Sequence, residues 1–234
     1  MLNEQTRKSL KSLITVGNAA IVRYPWTTVL QKNKSIIAFV NIEELGEEPL
    51  EEFGLEDNLS EFLSIIDFYK SPEISAEGNL VTIQSGKNTQ RYETSDLDSM
   101  RSYDVPVSAI EKVQGTPEII SFEITSSEIA RFKKLASLTK STSFIVNSKE
   151  DGESSIIVCK LDRNNNMSND SVTNFEMSAS ESIRVEFDIQ NIAKLPEKDY
   201  SVSIKKSGTT GNGVSMWTVT DEPIQIVVSV NNLF

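Results

Sequence analysis

The sequence contains no histidine and a single cysteine, Cys159. The first absence removes the most frequent general base, the imidazole partner of serine and cysteine nucleophiles, and the commonest zinc ligand. With one cysteine no internal disulfide can form, and zinc or iron–sulfur chemistry lacks its usual ligands. Cys159 lies in the apolar run SSIIVCKL, which favours a buried thiol over a reactive one. Long apolar runs are missing too. No segment approaches membrane-spanning length, and the opening MLNEQTRKSLKSLITV has no apolar stretch of the signal-peptide kind. These absences lead us to expect a soluble, intracellular protein with no metal and no cofactor. They disfavour an enzyme, although chemistry carried by carboxylates alone stays open.

What is present is an acidic chain of 234 residues, with 34 Asp and Glu against 23 Lys and Arg and a net charge of -11. The length suits two domains of ordinary size. Against that acidity, ARFKKLASLTKST (130–142) gathers Arg131, Lys133, Lys134 and Lys140 on one helical stretch. A solvated helix face accounts for such a run; so does an anion passing nearby.

The stretch has a twin. LNEQTRKSLKSL (2–13) leads through Gly17 into the strand-like AAIVRY, TTVLQK and SIIAFVNI, and ITSSEIARFKKL (124–135) leads into SFIVN and SSIIVCKL. Leu10, Lys11 and Leu13 align with Phe132, Lys133 and Leu135 at one constant offset. Asn3 can cap the first helix, and Thr125 with Glu128 forms a capping-box pattern for the second. Gly17 suits the first helix's end. Each unit continues with a second helix, within 56–72 and stopped by Pro72, and within 187–199 and stopped by Pro196. The strands NLVTIQSGK and YSVSIKKSG follow at matching places. The order helix, strands, helix, strands is written twice. We therefore place one domain at 1–104, a second at 121–234, and a connector with Pro106 and Pro117 at 105–120.

At about 100° per residue the first helix buries Leu2, Thr6, Leu10, Leu13 and Ile14, and points Lys8 and Lys11 away. The third buries Ile129, Phe132, Leu135 and Ala136, leaving Lys133 and Lys134 outward and Arg131 on the flank. The last buries Ile189, Ile192 and Ala193 and presents Lys194 and Gln190. The helix within 56–72 carries Glu61 and Asp67 instead. Acidic residues gather in EELGEEPLEEFGLED (43–57), which lacks calcium-loop spacing and reads as an acidic loop. SGTTGNG (207–213) lacks the Gly-Lys-Ser/Thr of a phosphate loop and reads as a hairpin loop.

The doubled unit with basic helices in an acidic chain resembles the sliding clamps, the ring-shaped processivity factors of DNA polymerases, and most closely the clamp of T-even-type tailed phages. The resemblance rests on LNEQTRKSLKSLITV, LSEFLSIIDFYKSPEISAEGNLVTI, FDIQNIAKLPEKDYSVSIKKSG and PIQIVVSVNNLF, and covers nearly the whole chain as a pattern. It implies an α+β chain of two similar clamp domains, with helices on one face of antiparallel sheets. It further implies a homotrimeric ring of six domains, helices lining the hole and sheets forming the wall. Implied partners are double-stranded DNA bound without sequence preference, the DNA polymerase, a clamp loader ATPase, and a late-transcription sigma-like factor with its co-activator. The implied location is the cytoplasm of the infected bacterial host. The clamp itself hydrolyses nothing. Lys8, Lys11, Arg131, Lys133, Lys134, Lys140 and Lys194 become the residues expected to face DNA, Lys11 and Lys133 foremost because they are equivalent in the repeat. The family's apolar partner pocket suggests Val105, Val107, Ile110 and Val113 near Ile224 and Ile226, where ordinary core is an equal reading. The acidic stretch 43–57 and the weakly basic second helix depart from the family pattern and leave the lining of the hole open. Two rivals stand beside the clamp: a structural, ring-forming or oligomeric virion protein, and a carboxylate glycosidase, for which no converging pair can be named.

Overall fold

The computed structural model describes residues 2–31, 33–149, 154–161, 167–206 and 213–233. The chain divides into two compact units. Unit 1 comprises Met1–Ala109 with Glu222–Gln225, and unit 2 Ile110–Asp221 with Ile226–Phe234.

Unit 1 runs α1 (Glu4–Ser12), β1 (Ala19–Val22), β2 (Trp26–Leu30), β3 (Ile36–Asn41), β4 (Phe53–Leu55), α2 (Leu59–Phe68), β5 (Glu73–Glu77), β6 (Leu80–Ser85) and β7 (Asn88–Glu93). A 3-10 turn, Ser99–Ser102, follows. The strands pair antiparallel in the orders β3-β2-β1-β4 and β5-β6-β7. Between the prolines lies α3 (Val107–Gly115). Unit 2 runs β8 (Glu118–Ile124), α4 (Ser126–Thr139), β9 (Ser143–Ser148), β10 (Ser155–Leu161), β11 (Met167–Asn174), β12 (Ser178–Ala179), β13 (Ile183–Asp188), α5 (Ile189–Lys194), β14 (Tyr200–Lys206), β15 (Gly213–Val219), β16 (Ile224–Ser229), which belongs to it from Ile226 onward, and β17 (Asn232–Leu233). Its strands order as β11-β10-β9-β13-β17 and β12-β8-β14-β15.

The repeat read from the sequence is therefore a repeat of topology. After α1 and after α4, the next four main strands assemble in the same spatial order, third, second, first, fourth. The caps repeat as well. Asn3 Oδ1 accepts the Thr6 amide at 2.9 Å, and Thr125 and Glu128 bond reciprocally in the expected capping box.

Each unit buries its helices on one face of a sheet. In unit 1 Leu2, Thr6, Leu10 and Leu13 are buried as expected and Ile14 half-buried, beside Leu59, Phe62, Leu63 and Ile66 of α2. Phe62 meets Phe53 and Tyr92 edge-on or tilted, with centroids 5.4 and 5.2 Å away. In unit 2 an aromatic chain runs Phe132–Phe144–Phe187–Trp217, with Phe122 and Tyr200 also on Trp217. The polar atoms that this aromatic cluster carries inside find partners, as burial favours. Trp217 Nε1 donates to Ser215 Oγ, which donates to the Val228 carbonyl, and Tyr200 donates its hydroxyl to Pro196 O.

Several expectations change. The 105–120 stretch, read as a connector, contains a helix. Pro106 immediately precedes α3 and Pro117 follows it, so the prolines bracket a helix, at the positions where a missing N–H is harmless. The second helix ends at Phe68, short of Pro72, and α4 runs past Leu135 to Thr139 with Lys140 in the left-handed region, φ 52°. In α5 Asn191 is buried and Ala193 exposed, because the buried arc passes through Ile192 and Asn191. The acidic 43–57 stretch is more than a loop. It contains β4, and Glu47 is buried, accepting the Asn3 amide at 2.6 Å. Residues 207–212 of SGTTGNG lie outside the described residues.

Gly17 is required for a different reason than expected. The helix is capped earlier, by Leu13. A Cβ on Gly17 would lie 2.1 Å from the Leu30 carbonyl oxygen, so glycine lets this turn pass against the backbone at the end of β2. Gly17→Ala is expected to cost about 2–3 kcal/mol, since the clash is with main chain that must shift. An unchanged urea midpoint would contradict this. Cys159 is buried, and burial raises its thiol pKa above the ordinary value. Iodoacetamide should therefore label it rapidly in urea and only slowly in the native protein; equal rates would place the thiol at the surface.

Candidate nucleic-acid interface

Burying one face of α1 and α4 leaves the opposite face for the charged side chains. Lys8 and Lys11 on α1 and Arg131 and Lys134 on α4 are exposed, as is Lys140 at the end of α4. Among the described residues Lys8, Lys134 and Lys140 have no carboxylate within ion-pair distance. By the repeat offset, Lys8 corresponds to Ala130 and Lys134 to Ser12, so the unpaired lysines sit at non-equivalent places.

The equivalent lysines behave otherwise. Lys133 does not point outward. Its ammonium donates to the Leu195 carbonyl at 2.5 Å, lies 3.8 Å from Glu197, and its side chain is only 19% exposed. Burial lowers its pKa from the usual lysine value, against the opposing pull of Glu197. The reason is local. α5 ends at Lys194, and the carbonyl just beyond it has no helical donor, so a long cation from α4 can supply one. Lys11 remains exposed but is ion-paired with Asp67 of α2. Arg7 Nε meets the same carboxylate at 3.1 Å, and its guanidinium also donates to Leu2 O at 2.6 Å. In each unit the equivalent lysine thus fastens the first helix to the second.

Arg131 donates to Thr173 Oγ1 of β11 at 3.0 Å, and Lys194 is half-buried. Sequence reasoning missed the Asp67 link because face analysis of one helix cannot register two outward residues that meet. The carboxylate in the last turn of α2 was the available signal. Of the apolar set, Ile110, Ile224 and Ile226 are buried while Val105, Val107 and Val113 are half-buried, so only the valines present surface. Among the described residues no group of three or more carboxylate or thiol side chains could hold a metal ion. No helix of the described residues is long and apolar enough to cross a membrane.

The doubled helix-on-sheet unit, with its second helix and following strands, is the sliding-clamp fold. Among solved structures the chain is similar to the proliferating cellular nuclear antigen of Entamoeba histolytica, with TM-score 0.64 and 10% identity over 97% of this chain and 95% of that one. It is similar also to the Helicobacter pylori beta clamp, with TM-score 0.64 and 13% identity over 97% of this chain. A third likeness is to the DNA polymerase sliding clamp of Caulobacter crescentus, with TM-score 0.62 and 9% identity over 92% of this chain. The chain spans only 61% of the Helicobacter protein's length and 57% of the Caulobacter protein's. No family model matches the chain, and no curated protein matches it by sequence.

The two lysine environments make separate predictions. Lys133→Gln should destabilise the protein by about 1–2 kcal/mol through loss of a charge-assisted bond to a main-chain carbonyl. Lys134→Gln should leave the melting temperature unchanged. Equal melting temperatures for the two variants would contradict the fastening role.

Proposed function

We propose that this protein is a DNA sliding clamp, three copies of which close around duplex DNA and tether a DNA polymerase. The observation that carries the reading is the clamp fold in two repeats with lysines on the helix faces opposite the sheets. Net acidity fits the same arrangement. An acidic exterior repels DNA, leaving a lysine-bearing hole as the favourable place for phosphate. Non-specific binding rests on neutralising phosphates and releasing counterions, and no base readout is needed. The contacts are best placed on Lys8, Lys134 and Lys140, with Arg131, Lys194 and Lys11 contributing and Lys133 kept for helix fastening.

Ring closure needs self-association, and unit 2 carries a suitable edge. β11 (MSNDSVTN) forms an outer strand of its sheet, is largely exposed, and has neither lysine nor proline to block pairing. Met167 and Val172 on it are 43% and 56% exposed. An open strand of this kind is a template for another chain, and we assign it to the interface with a neighbouring copy. The resemblance supplies the finer proposals: a phage clamp of the T-even type, opened by an ATP-driven loader, shared with late-transcription factors, and acting in the cytoplasm of the infected bacterium. A peptide partner would meet Val105, Val107 and Val113.

Topology supplies the test. Once loaded by its ATPase, the protein should remain on closed circular DNA and be lost after the circle is cut once. A virion protein bound by charge alone would leave both forms at the same rate, and that result would contradict the proposal.

A further inference from the structure

The two helix fasteners differ in a way that bears on DNA. In unit 2 Lys133 is held by a main-chain carbonyl and withdrawn from solvent. In unit 1 Lys11 keeps 43% of its side chain exposed, and its partner is the carboxylate of Asp67, itself 34% exposed. Asp67 also takes Arg7 Nε, whose side chain is 15% exposed. One carboxylate therefore sits between two cations on the face that unit 1 offers to phosphate.

The placement of Asp67 is not explained by its own helix. It lies in the last turn of α2, which carries no basic residue, and there the helix dipole disfavours negative charge. Its polar contacts are with α1 instead. Such a carboxylate acts twice on an approaching phosphate: it repels the anion, and it occupies the ammonium group the phosphate would bind. Because the pair is exposed, phosphate can displace Asp67 and be displaced in turn.

We propose that Asp67 is a built-in competitor for DNA phosphate, which keeps Lys11 from gripping the duplex and holds unit 1's contribution to DNA binding below that of unit 2. The proposal rests on the DNA-facing reading above. Asp67 touches no phosphate in this account; it positions and occupies Lys11, and its removal should tighten binding where loss of a merely structural contact would not.

The test is the salt dependence of binding to a short, fluorescein-labelled linear duplex, followed by anisotropy with the intact protein. Asp67→Asn keeps a carbonyl acceptor for the Arg7 Nε–H, and Asp67→Ser removes the charge with a different shape; a native melting curve for either qualifies it. Each should bind about three- to tenfold more tightly at low salt, with the slope of log K against log salt steeper by about one, the release expected for one more phosphate contact. Adding Lys11→Gln should abolish the gain. A gain that survives Lys11→Gln overturns the proposal, because net charge alone then explains it. Unchanged affinity and slope in both Asp67 variants also overturn it. The Lys8→Gln, Lys134→Gln double variant separates the two levels. If it binds more weakly, the DNA-facing reading stands whatever Asp67 does; if it binds as tightly as the unaltered protein, that reading fails and the Asp67 proposal falls with it.

Discussion

The structure depends on the burial of one helix face against a sheet, carried out separately in each unit. Leu10 and Leu13 in unit 1, and Ile129 and Phe132 in unit 2, are fully covered. At about 25 cal/mol per Å² of apolar surface, a handful of such side chains outweighs any arrangement of surface charge. Once these residues are fixed inward, the 3.6-residue period fixes Lys8 and Lys134 outward. The cationic surface is thus a consequence of packing rather than of mutual attraction among charges. Its lysines can be few and mobile without loss of fold.

That separation suits the proposed clamp, which would hold DNA without gripping it. If enclosure prevents escape, each phosphate contact needs only to be weak and rapidly exchanged, partly through water. Tight contacts would slow movement along the duplex. The fasteners fit the same economy of charge. Lys133 is withdrawn onto the Leu195 carbonyl, and Lys11 shares Asp67 with Arg7, so two cations of the doubled pattern serve helix packing. The acidic 43–57 stretch is likewise put to structural use, since Glu47 receives the amide of Asn3 at the start of α1.

Much of the fold was legible in the sequence because it follows local rules. The Thr125–Glu128 capping box, the apolar stripes and the doubled order of helices and strands depend only on neighbouring residues or on periodicity, while the α+β clamp architecture came from the family resemblance. Features set by tertiary contact were not legible. Gly17 looked like a helix terminator, whereas its cause is the close approach of the Leu30 backbone at the end of β2. The helix between Pro106 and Pro117, inside the stretch read as a connector, was not foreseen. The lysines most favoured by the repeat, Lys11 and Lys133, were favoured because they are equivalent. Equivalence turned out to mark the same helix-to-helix fastening in both units.

The central claim is a closed ring built from a two-repeat chain, and its most direct test is the shape of the particle. Electron-microscope class averages of the purified protein at moderate concentration should show a threefold ring with an open centre wide enough for duplex DNA. Monomers, or compact oligomers without a central hole, would contradict the account.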